Sequence, residues 1–456
     1  MARQPDLNEV LSGLSKEKLI RIIIKIAERD EMFKNSLLLE YVKADYSQQI
    51  RSCKKLIDSI VKKYVGREGF ISYRETYSFA KDMLALLENT NEAQDETFAL
   101  EISLLVLEEG VAAFQYADDS DGNIGWLVEE ALECIREIAG SLDRQDVPAR
   151  ERFFNRLLTM SKSGTFDGWE DFRITLLDIC AEFADAVNLR EQLKASIDNQ
   201  IASTGYNEQQ KYANESLLKI LFQLIQSYES NEEAERFVQK HLHFTFFRER
   251  AIEKSMGSKD YRHVIELSEE GERQDKQLPG LVAKWKRMRY EAYKNLSLKQ
   301  EQGLLAKELL LGGGYGYYHD LESLFDGDKE KFYRSIIAEL KKAANWSAQE
   351  VYLKLISDKN DLEEMMAYVK ANPSAIEEYA LRLIADYRAE VEQIYSSHIY
   401  HAAEVSSNRK EYQRVCAMLK RYKQIAGQVS QGEIIHRLEA QYNKRPAFLD
   451  ELTRLK

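Results

Sequence analysis

Proline is scarce in this sequence and does not interrupt its long periodic stretches. Only five prolines occur in 456 residues, and they are Pro5, Pro148, Pro279, Pro373 and Pro446. Proline removes a backbone donor and interrupts helices, so the intervals between these positions are free to be helical. Within them apolar residues recur every three or four positions, whereas the alternation typical of strands is absent. The sequence therefore predicts helix from end to end.

The cysteines lack any spacing typical of metal binding or redox chemistry. The chain has four of them, far apart and without a CxxC pair: Cys53, Cys134, Cys180 and Cys416. Cys134, for example, shares a helical apolar stripe with Leu127, Ala131 and Ile138. Free cysteine is among the most buried residue types. We therefore expect these cysteines to be small core residues.

Long hydrophobic runs are also missing, and the charge balance is acidic. No apolar run reaches membrane-spanning length, and the first residues have no signal-peptide core. The chain carries 76 acidic and 64 basic residues, a net charge of −12, which opposes general attraction to nucleic acid or anionic membrane. A local basic stripe is still compatible with either. We expect a cytoplasmic protein that needs no cofactor and does not enter a membrane.

The length of the chain exceeds the usual limit for one compact core, which favours a repeat array or several domains. Successive amphipathic segments predict paired helices that stack into an all-α, right-handed α-solenoid. Residues 1–206 read as an N-terminal array of helical hairpins. Residues 207–311 read as TPR-like repeats without a strict 34-residue period, with Ala251, Gly257 and Tyr261 in the small-residue and aromatic positions. The glycine run 312–316 separates these from a C-terminal helical subdomain, 312–456.

Three short patches resemble a known family. Asp118-Asp119-Ser120-Asp121-Gly122 lies between two predicted helices, Asn408-Arg409-Lys410-Glu411-Tyr412 precedes Leu419-Lys420-Arg421-Tyr422, and Arg445-Pro446-Ala447-Phe448-Leu449-Asp450-Glu451-Leu452 lies near the end. Together they resemble the long helical region that follows the zinc-binding module in bacterial SWIM zinc-finger proteins, over roughly residues 7–456 of this sequence.

The resemblance does not include the zinc-binding module. Such proteins carry CxC and CxH ligand pairs upstream, and this sequence contains neither set. The zinc-dependent nucleic-acid role suggested for the family therefore does not transfer. The resemblance implies a helical interaction scaffold, working beside nucleic-acid machinery, and supplies no catalytic residues.

The acidic loop 118–122 allows two interpretations. Counted from Asp119 as a calcium loop, it places Asp121, Asn123 and Glu130 at ligand positions three, five and twelve. Position six, however, is Ile124 where the sharp turn needs glycine. The alternative is that Asp121 or Asn123 caps a helix starting near Gly125 while the other carboxylates complement its dipole. The second interpretation is favoured.

Histidines offer a further metal candidate. His398, His401 and Glu404 lie three residues apart on a predicted helix, which would bring two imidazoles and a carboxylate to one face. No second motif complements them, and His241 and His243 point to different sides of a helix. A solvated polar face is the favoured interpretation.

Two basic clusters carry the main binding hypothesis. Lys284, Trp285, Lys286, Arg287, Arg289 and Tyr290 form the first, and Arg409, Lys410, Arg414, Lys420, Arg421 and Lys423 form the second. Cations interleaved with aromatic rings are suited to phosphate attraction and base stacking. On a helix, Trp285 can instead face the core while the cations remain in solvent. Both interpretations stay open.

Taken together, the patterns predict a non-catalytic helical-repeat scaffold that binds a protein or peptide partner. The alternative is a nucleic-acid-associated accessory factor that uses the two basic clusters, and a metal-dependent enzyme is a distant third. The candidate binding residues are Lys284, Trp285, Lys286, Arg287, Arg409, Arg414, Lys420 and Arg421. Neither the oligomeric state nor the partner follows from the sequence.

Overall fold

The fold is all-α, as the sequence predicts. The structure is a computed structural model that describes residues 6–42, 45–91, 96–204, 210–343 and 345–455. These residues form 24 α-helices and contain no strand, apart from one isolated parallel bridge between Ile71 and Ala117. Most helices adjacent in sequence pack on one another, so the prediction of an array of paired helices is confirmed. In the described part of the chain, no helix has both the length and the apolar character needed to cross a bilayer.

The chain divides into two compact units, Met1–Ala251 and Ile252–Lys456. The division falls inside helix α13, which spans Thr245–Gly257. The predicted three-part division, with boundaries at 206/207 and 311/312, stays a prediction. The first of those boundaries lies outside the described residues.

Twelve helices precede α13 in the first unit. They are α1 (Leu7–Ser12), α2 (Lys16–Ala27), α3 (Glu31–Tyr41), α4 (Tyr46–Val65), α5 (Tyr73–Asn91), α6 (Glu96–Ala113), α7 (Asn123–Ser141), α8 (Val147–Met160), α9 (Glu170–Cys180), α10 (Val187–Thr204), α11 (Lys211–Tyr228) and α12 (Asn231–Lys240). Short 3-10 turns at Gly164–Phe166 and Ala181–Phe183 flank α9.

Helix α6 is the centre of the first unit. It packs against α4, α5, α7 and α8, and buried apolar residues occur on every side of its middle turns. Eleven of its residues are buried, including the consecutive run from Ile102 to Leu107. A helix apolar all round has no face left for solvent.

Three of the four cysteines are core residues, as predicted. Cys53, Cys180 and Cys416 are buried, and burial raises the pKa of Cys53 to about 12 and that of Cys416 to about 11. Cys134 differs because it is half-buried and its Sγ lies 3.3 Å from Oγ of Ser103. A thiol so placed has a polar neighbour, which the apolar stripe around it did not predict.

Eleven helices follow α13 in the second unit. They are α14 (Tyr261–Gln274), α15 (Pro279–Asn295), α16 (Lys299–Leu311), α17 (Tyr317–Leu324), α18 (Lys329–Ala343), α19 (Trp346–Asp358), α20 (Leu362–Ala371), α21 (Ile376–Leu383), α22 (Arg388–Val405), α23 (Arg409–Gln441) and α24 (Pro446–Thr453). Their buried side chains from Tyr290 to Leu452 form one continuous hydrophobic core, to which α16 and α17 on either side of the glycine run both contribute.

One type of turn recurs between helices of the second unit. Lys259, Ser297, Gly313 and Asn360 each have positive φ, and the next residue donates its backbone N–H to a carbonyl five positions earlier. The N···O distances of these four bonds lie between 2.8 and 3.0 Å. This pattern is the Schellman motif, which ends a helix and satisfies its last carbonyls. Each turn is therefore closed by its own local hydrogen bonds.

Helix α23 reverses direction at Gly427. That residue has φ 89° and ψ 172°, and Nε2 of Gln431 donates to the carbonyl of Leu419 over 3.2 Å in a buried position. In a straight helix, residues twelve apart would be separated by about 18 Å. The two halves of α23 therefore form a hairpin.

Replacing Gly427 by alanine is expected to lower the free energy of unfolding by about 1–3 kcal/mol, because this backbone region is almost restricted to glycine. The same change at Gly432 is the control, since that residue is helical and nothing lies within 4 Å of its missing Cβ. Gly432→Ala is expected to be stabilising by about 0.5–1 kcal/mol. Chemical denaturation followed by circular dichroism measures both. Equal effects at the two positions would contradict the hairpin.

Candidate functional site

The first basic cluster lies on α15, and its aromatic residue faces the core. Trp285 is fully buried and its Nε1 donates to Oδ2 of Asp275 over 2.8 Å. Nζ of Lys286 lies 2.8 Å from Oε2 of Glu308, whereas Arg287 is exposed. Nζ of Lys284 lies 6.0 Å from the centroid of the Trp285 ring. Because its indole is buried, Trp285 cannot stack on a nucleic-acid base in this arrangement.

A glycine on the preceding helix makes room for this tryptophan. A Cβ built on Gly271 of α14 would lie 2.9 Å from three atoms of the Trp285 ring. Real Cβ atoms do not approach so closely, so only glycine fits. Gly271 and Trp285 thus set the close packing of α14 against α15, and the role of Trp285 is structural.

The second basic cluster lies on α23 and is partly neutralised. Nε of Arg409 lies 2.7 Å from Oε1 of Glu451, and the same guanidinium pairs with Asp450. Nη1 of Arg421 lies 2.6 Å from Oε2 of Glu377. Arg414 and Lys420 are exposed, and neither forms an ion pair within the described ranges. Only part of this cluster is therefore available to an external anion.

The two clusters belong to different groups of helices. Helix α15 packs against α14 and α16, while α23 packs against α21, α22 and α24. Within the described residues, α15 and α23 do not pack appreciably against each other, so their cations are not brought together. The single phosphate track that the two clusters together would form is thus not supported by helix packing.

The patches at 408–412 and 445–452 pack together. The rings of Tyr412 and Phe448 stack with centroids 4.7 Å apart, beside the Arg409 ion pairs. Arg445 donates through Nη1 to the carbonyls of Ala403 and Ser406, at 3.1 and 2.9 Å. These carbonyls lie at the end of α22, where a cation complements the helix dipole. These contacts therefore pack the start of α24 against the start of α23, and the role of the two patches is structural.

The acidic loop caps a helix, but through a different residue from those predicted. Oδ1 of Asp119 accepts from the backbone N–H of Ile124 at 2.6 Å, and Oδ2 accepts from Gly125 at 3.1 Å. Helix α7 begins at Asn123, two residues from the predicted start near Gly125, but neither Asp121 nor Asn123 is the cap. The Gly122 backbone has φ 72°, which allows the loop to turn back and bring Asp119 under the helix.

The remaining candidate calcium ligands are also engaged or exposed. Nδ2 of Asn123 donates to Oγ1 of Thr76 at 3.1 Å, and Oε1 of Glu130 accepts from the indole of Trp126 at 3.0 Å. Asp121 is exposed. The arrangement therefore supports the helix-capping interpretation.

Asp119→Ala is expected to lower the free energy of unfolding by about 1–2 kcal/mol, because two backbone donors at the start of α7 lose their acceptor. Asp121→Ala is the control and is expected to change stability by less than about 0.5 kcal/mol. Thermal denaturation with and without calcium measures both effects. A calcium-dependent rise in melting temperature that both variants abolish would instead establish the calcium site.

The histidine candidates do not form a metal site in the described part of the chain. Nε2 of His398 lies 3.3 Å from Oε1 of Glu377, the carboxylate that also binds Arg421. His401 and Glu404 are exposed. Across the described residues, no group of three or more His, Cys, Asp or Glu side chains is placed to hold a metal ion.

Contrary to the prediction, His241 and His243 do not lie on a helix but in the turn that follows α12, with their ring centroids 6.0 Å apart. His241 is 4% exposed and packs against Phe237, Phe244 and Phe247, with ring centroids 4.5, 6.4 and 5.7 Å away. Its Nδ1 is buried and has no hydrogen-bond partner among the described residues. Burial, together with the nearby Lys240 and His243, lowers the pKa of His241 to about 4. The imidazole is therefore neutral at pH 7.

A small cavity lies among α18, α19 and α20. It has a volume of about 350 Å³ and is lined by Leu340, Lys341, Asn345, Gln349, Tyr352 and Tyr368. Nζ of Lys341 forms an ion pair with Oε2 of Glu364 at 2.7 Å, and Nε2 of Gln349 donates to the hydroxyl of Tyr368 at 3.3 Å. Such a cavity has the size and mixed polarity to accept a side chain of a partner.

Comparisons with known proteins give little further information. No protein-family model matches the chain, and no curated protein matches it. Among solved structures, the chain is similar to a "Circular tandem repeat protein with novel repeat topology and enhanced subunit contact surfaces". The match is 15% identical and covers 97% of this chain and 96% of that one, with a TM-score of 0.18. At that TM-score the match carries no argument about this protein.

Proposed function

We propose that the protein is a non-catalytic helical-repeat scaffold that binds a protein or peptide partner in the cytoplasm. The observation that carries the proposal is the series of helices in which most sequence neighbours pack together, with one local turn recurring in the second unit. Arrays of this type present many outward side chains at regular spacing, and such surfaces are commonly used to bind proteins. The resemblance of residues 7–456 to the helical region of SWIM zinc-finger proteins supports the same proposal.

The alternative is a nucleic-acid-associated factor, and the exposed cations of the two basic clusters favour it. Arg287, Arg414 and Lys420 are exposed and form no ion pair in the described portion of the chain. Against it, Lys286, Arg409 and Arg421 already pair with carboxylates, and Trp285 is buried. The net charge of −12 also repels polyanions at long range.

A charge-reversed variant separates the two functions. Lys284, Lys286, Arg287, Arg414, Lys420 and Arg421 are changed to glutamate together. We expect the variant to fold, because exposed ion pairs contribute only about 0–1 kcal/mol each, and we expect it to keep its protein partners. Quantitative mass spectrometry of co-purified proteins and binding to DNA and RNA over a range of salt concentrations are the measurements.

The opposite result would support the nucleic-acid function. Its signature is tight binding of DNA or RNA by the wild type, weakening steeply with salt through counterion release. Loss of that binding in the charge-reversed variant, at an unchanged melting temperature, would replace the scaffold proposal.

A further inference from the structure

Helix α2 exposes an apolar face that the other described residues leave partly uncovered. Five isoleucines on this helix are between 39% and 52% exposed, and they are Ile20, Ile22, Ile23, Ile24 and Ile26. Of its neighbours in the described residues, α2 packs appreciably only against α3, and no residue of α1, α2 or α3 is fully buried. At 3.6 residues per turn, the apolar residues of α2 cover roughly 200° of its circumference. Contiguous exposed apolar surface of this kind marks an interaction site.

Helices α2 and α4 are basic, whereas the chain as a whole is acidic. Helix α2 carries Lys16, Lys18, Arg21 and Lys25 against the single acid Glu17. Helix α4 carries Arg51, Lys54, Lys55, Lys62 and Lys63 against the single acid Asp58. These two helices are therefore strongly positive in a chain whose net charge is −12. Positive charge concentrated beside apolar surface selects a partner that is both acidic and apolar.

A cleft between α3 and α4 places part of this charge next to α2. The cleft has a volume of about 880 Å³, and its lining includes Lys34, Leu38, Lys55 and Lys62. Arg29, which lies two residues after the end of α2, also lines it. The cleft therefore reaches the end of the helix that carries the isoleucines.

Three of the five cations that line this cleft are available, since Lys34 pairs with Glu31 and Lys63 pairs with Asp82. Arg29, Lys55 and Lys62 form no ion pair within the described ranges. Two of the acidic residues in the lining are already engaged, because Asp30 accepts from the backbone N–H of Phe33 at 3.0 Å and Glu31 pairs with Lys34 at 3.4 Å. An incoming carboxylate would meet cations that are free to bind it.

We propose that α2, α3 and α4 form a docking surface for an acidic amphipathic helix of a partner protein. The apolar face of the partner packs against the isoleucines of α2, and its carboxylates bind the cations of the cleft. Helix-in-groove binding uses apolar anchors at positions i, i+3 or i+4, and i+7. This inference rests on the proposed scaffold function and names the class of partner for one surface.

Charge favours this occupant over two others. A second copy of the chain would bring two basic α2 helices together, which costs electrostatic energy. An anionic bilayer would attract α2 and α4, but the rest of the chain is more negative than the chain as a whole and would be repelled. An acidic helix satisfies both the charge and the apolar face.

A helix-display selection on the full chain tests the proposal. The probe is a library of 18-residue helices with randomised outward positions on a fixed helical template. We expect enriched helices to combine Leu, Ile or Phe along one face with an excess of Asp and Glu, and their affinity to fall as salt rises. Affinity is expected to fall at least tenfold for Ile20→Asp/Ile24→Asp and for Arg29→Glu/Lys55→Glu/Lys62→Glu.

The matched control changes exposed apolar residues elsewhere. Leu381 and Val429 are 68% and 78% exposed, and Leu381→Asp/Val429→Asp is expected to bind the selected helices as the wild type does. Circular dichroism checks that all variants are folded. Because the changed side chains are exposed, folding is expected to be retained.

Four outcomes would overturn the proposal. The first is that the enriched helices show no excess of acidic residues, and the second is that the Ile20/Ile24 variant binds them as tightly as the wild type. The third is a wild-type dimer in light scattering that the Ile20/Ile24 variant does not form. The fourth is that the wild type, but not the Ile20/Ile24 variant, sediments with vesicles containing 30% phosphatidylserine. Equal binding by the variant would leave the scaffold function standing at another surface. The scaffold function fails only if the wild type enriches no helix and recruits no protein.

Discussion

Trp285→Ala is expected to lower the free energy of unfolding by about 3–5 kcal/mol, the cost typical of removing a fully buried aromatic side chain. The ring fills the space that Gly271 leaves open, and its indole N–H donates to the buried carboxylate of Asp275. The variant therefore creates a cavity between α14 and α15 and also removes a donor from a buried acceptor, which adds to the cost.

Two further variants make the Trp285 result specific. Trp346 is 74% exposed, so Trp346→Ala is expected to change stability by less than about 0.5 kcal/mol. Trp285→Phe keeps an aromatic ring but loses the donor, and we expect an intermediate loss. Denaturation followed by far-ultraviolet circular dichroism compares all three. Equal stability of Trp285→Ala and Trp346→Ala would show that Trp285 is not a core residue.

The stability of the protein is expected to fall by roughly 3 kcal/mol between pH 6.5 and pH 4 through His241 alone. Its pKa is about 4 in the folded protein and about 6.5 when exposed. The unfolded state therefore binds the proton more tightly than the folded state. The contribution of the neutral imidazole is fully present above pH 6.5, declines as the pH falls, and is lost near pH 4.

His241→Phe isolates this effect, because phenylalanine occupies a similar volume among Phe237, Phe244 and Phe247 but does not titrate. The difference in unfolding free energy between variant and wild type is expected to increase as the pH falls from 6.5 to 4. Denaturation at several pH values measures it, and an NMR titration of the imidazole gives its pKa directly. A His241 signal that titrates near pH 6.5 would contradict the burial.

The sequence predicted the features that depend on local periodicity. The all-α class follows from apolar residues at helical spacing, and the inward direction of Trp285 was one of two interpretations that this spacing allowed. Burial at Cys53, Cys180 and Cys416 was predicted in the same way. Each of these depends on residues within two or three turns of one helix, which is the range over which side-chain periodicity carries information.

Features that depend on distant partners were not predictable in this way. Arg409 was read as a candidate cation for an external ligand, but its partner Glu451 lies 42 positions further along the chain. His241 is buried by phenylalanines from both adjacent helices, and the pattern around it did not reveal the missing partner of its Nδ1. Tertiary packing decides which cations are neutralised and which histidines are desolvated.

The exact capping residue was missed for a different reason. Asp119 reaches donors five and six positions later because Gly122 adopts a positive φ. Ordinary caps act over two or three residues, so the sequence pattern indicated Asp121 or Asn123 instead. Backbone conformations available mainly to glycine change which side chain reaches a helix end.

The recurring turn of the second unit has a consequence for how the chain folds. Four of its turns are closed by bonds between residues only five positions apart, and the helices on either side pack mainly on near neighbours. Contacts that close short segments require little loop entropy and form quickly. Helical hairpins of the second unit can therefore assemble one after another as the polypeptide leaves the ribosome, each adding to a core already begun.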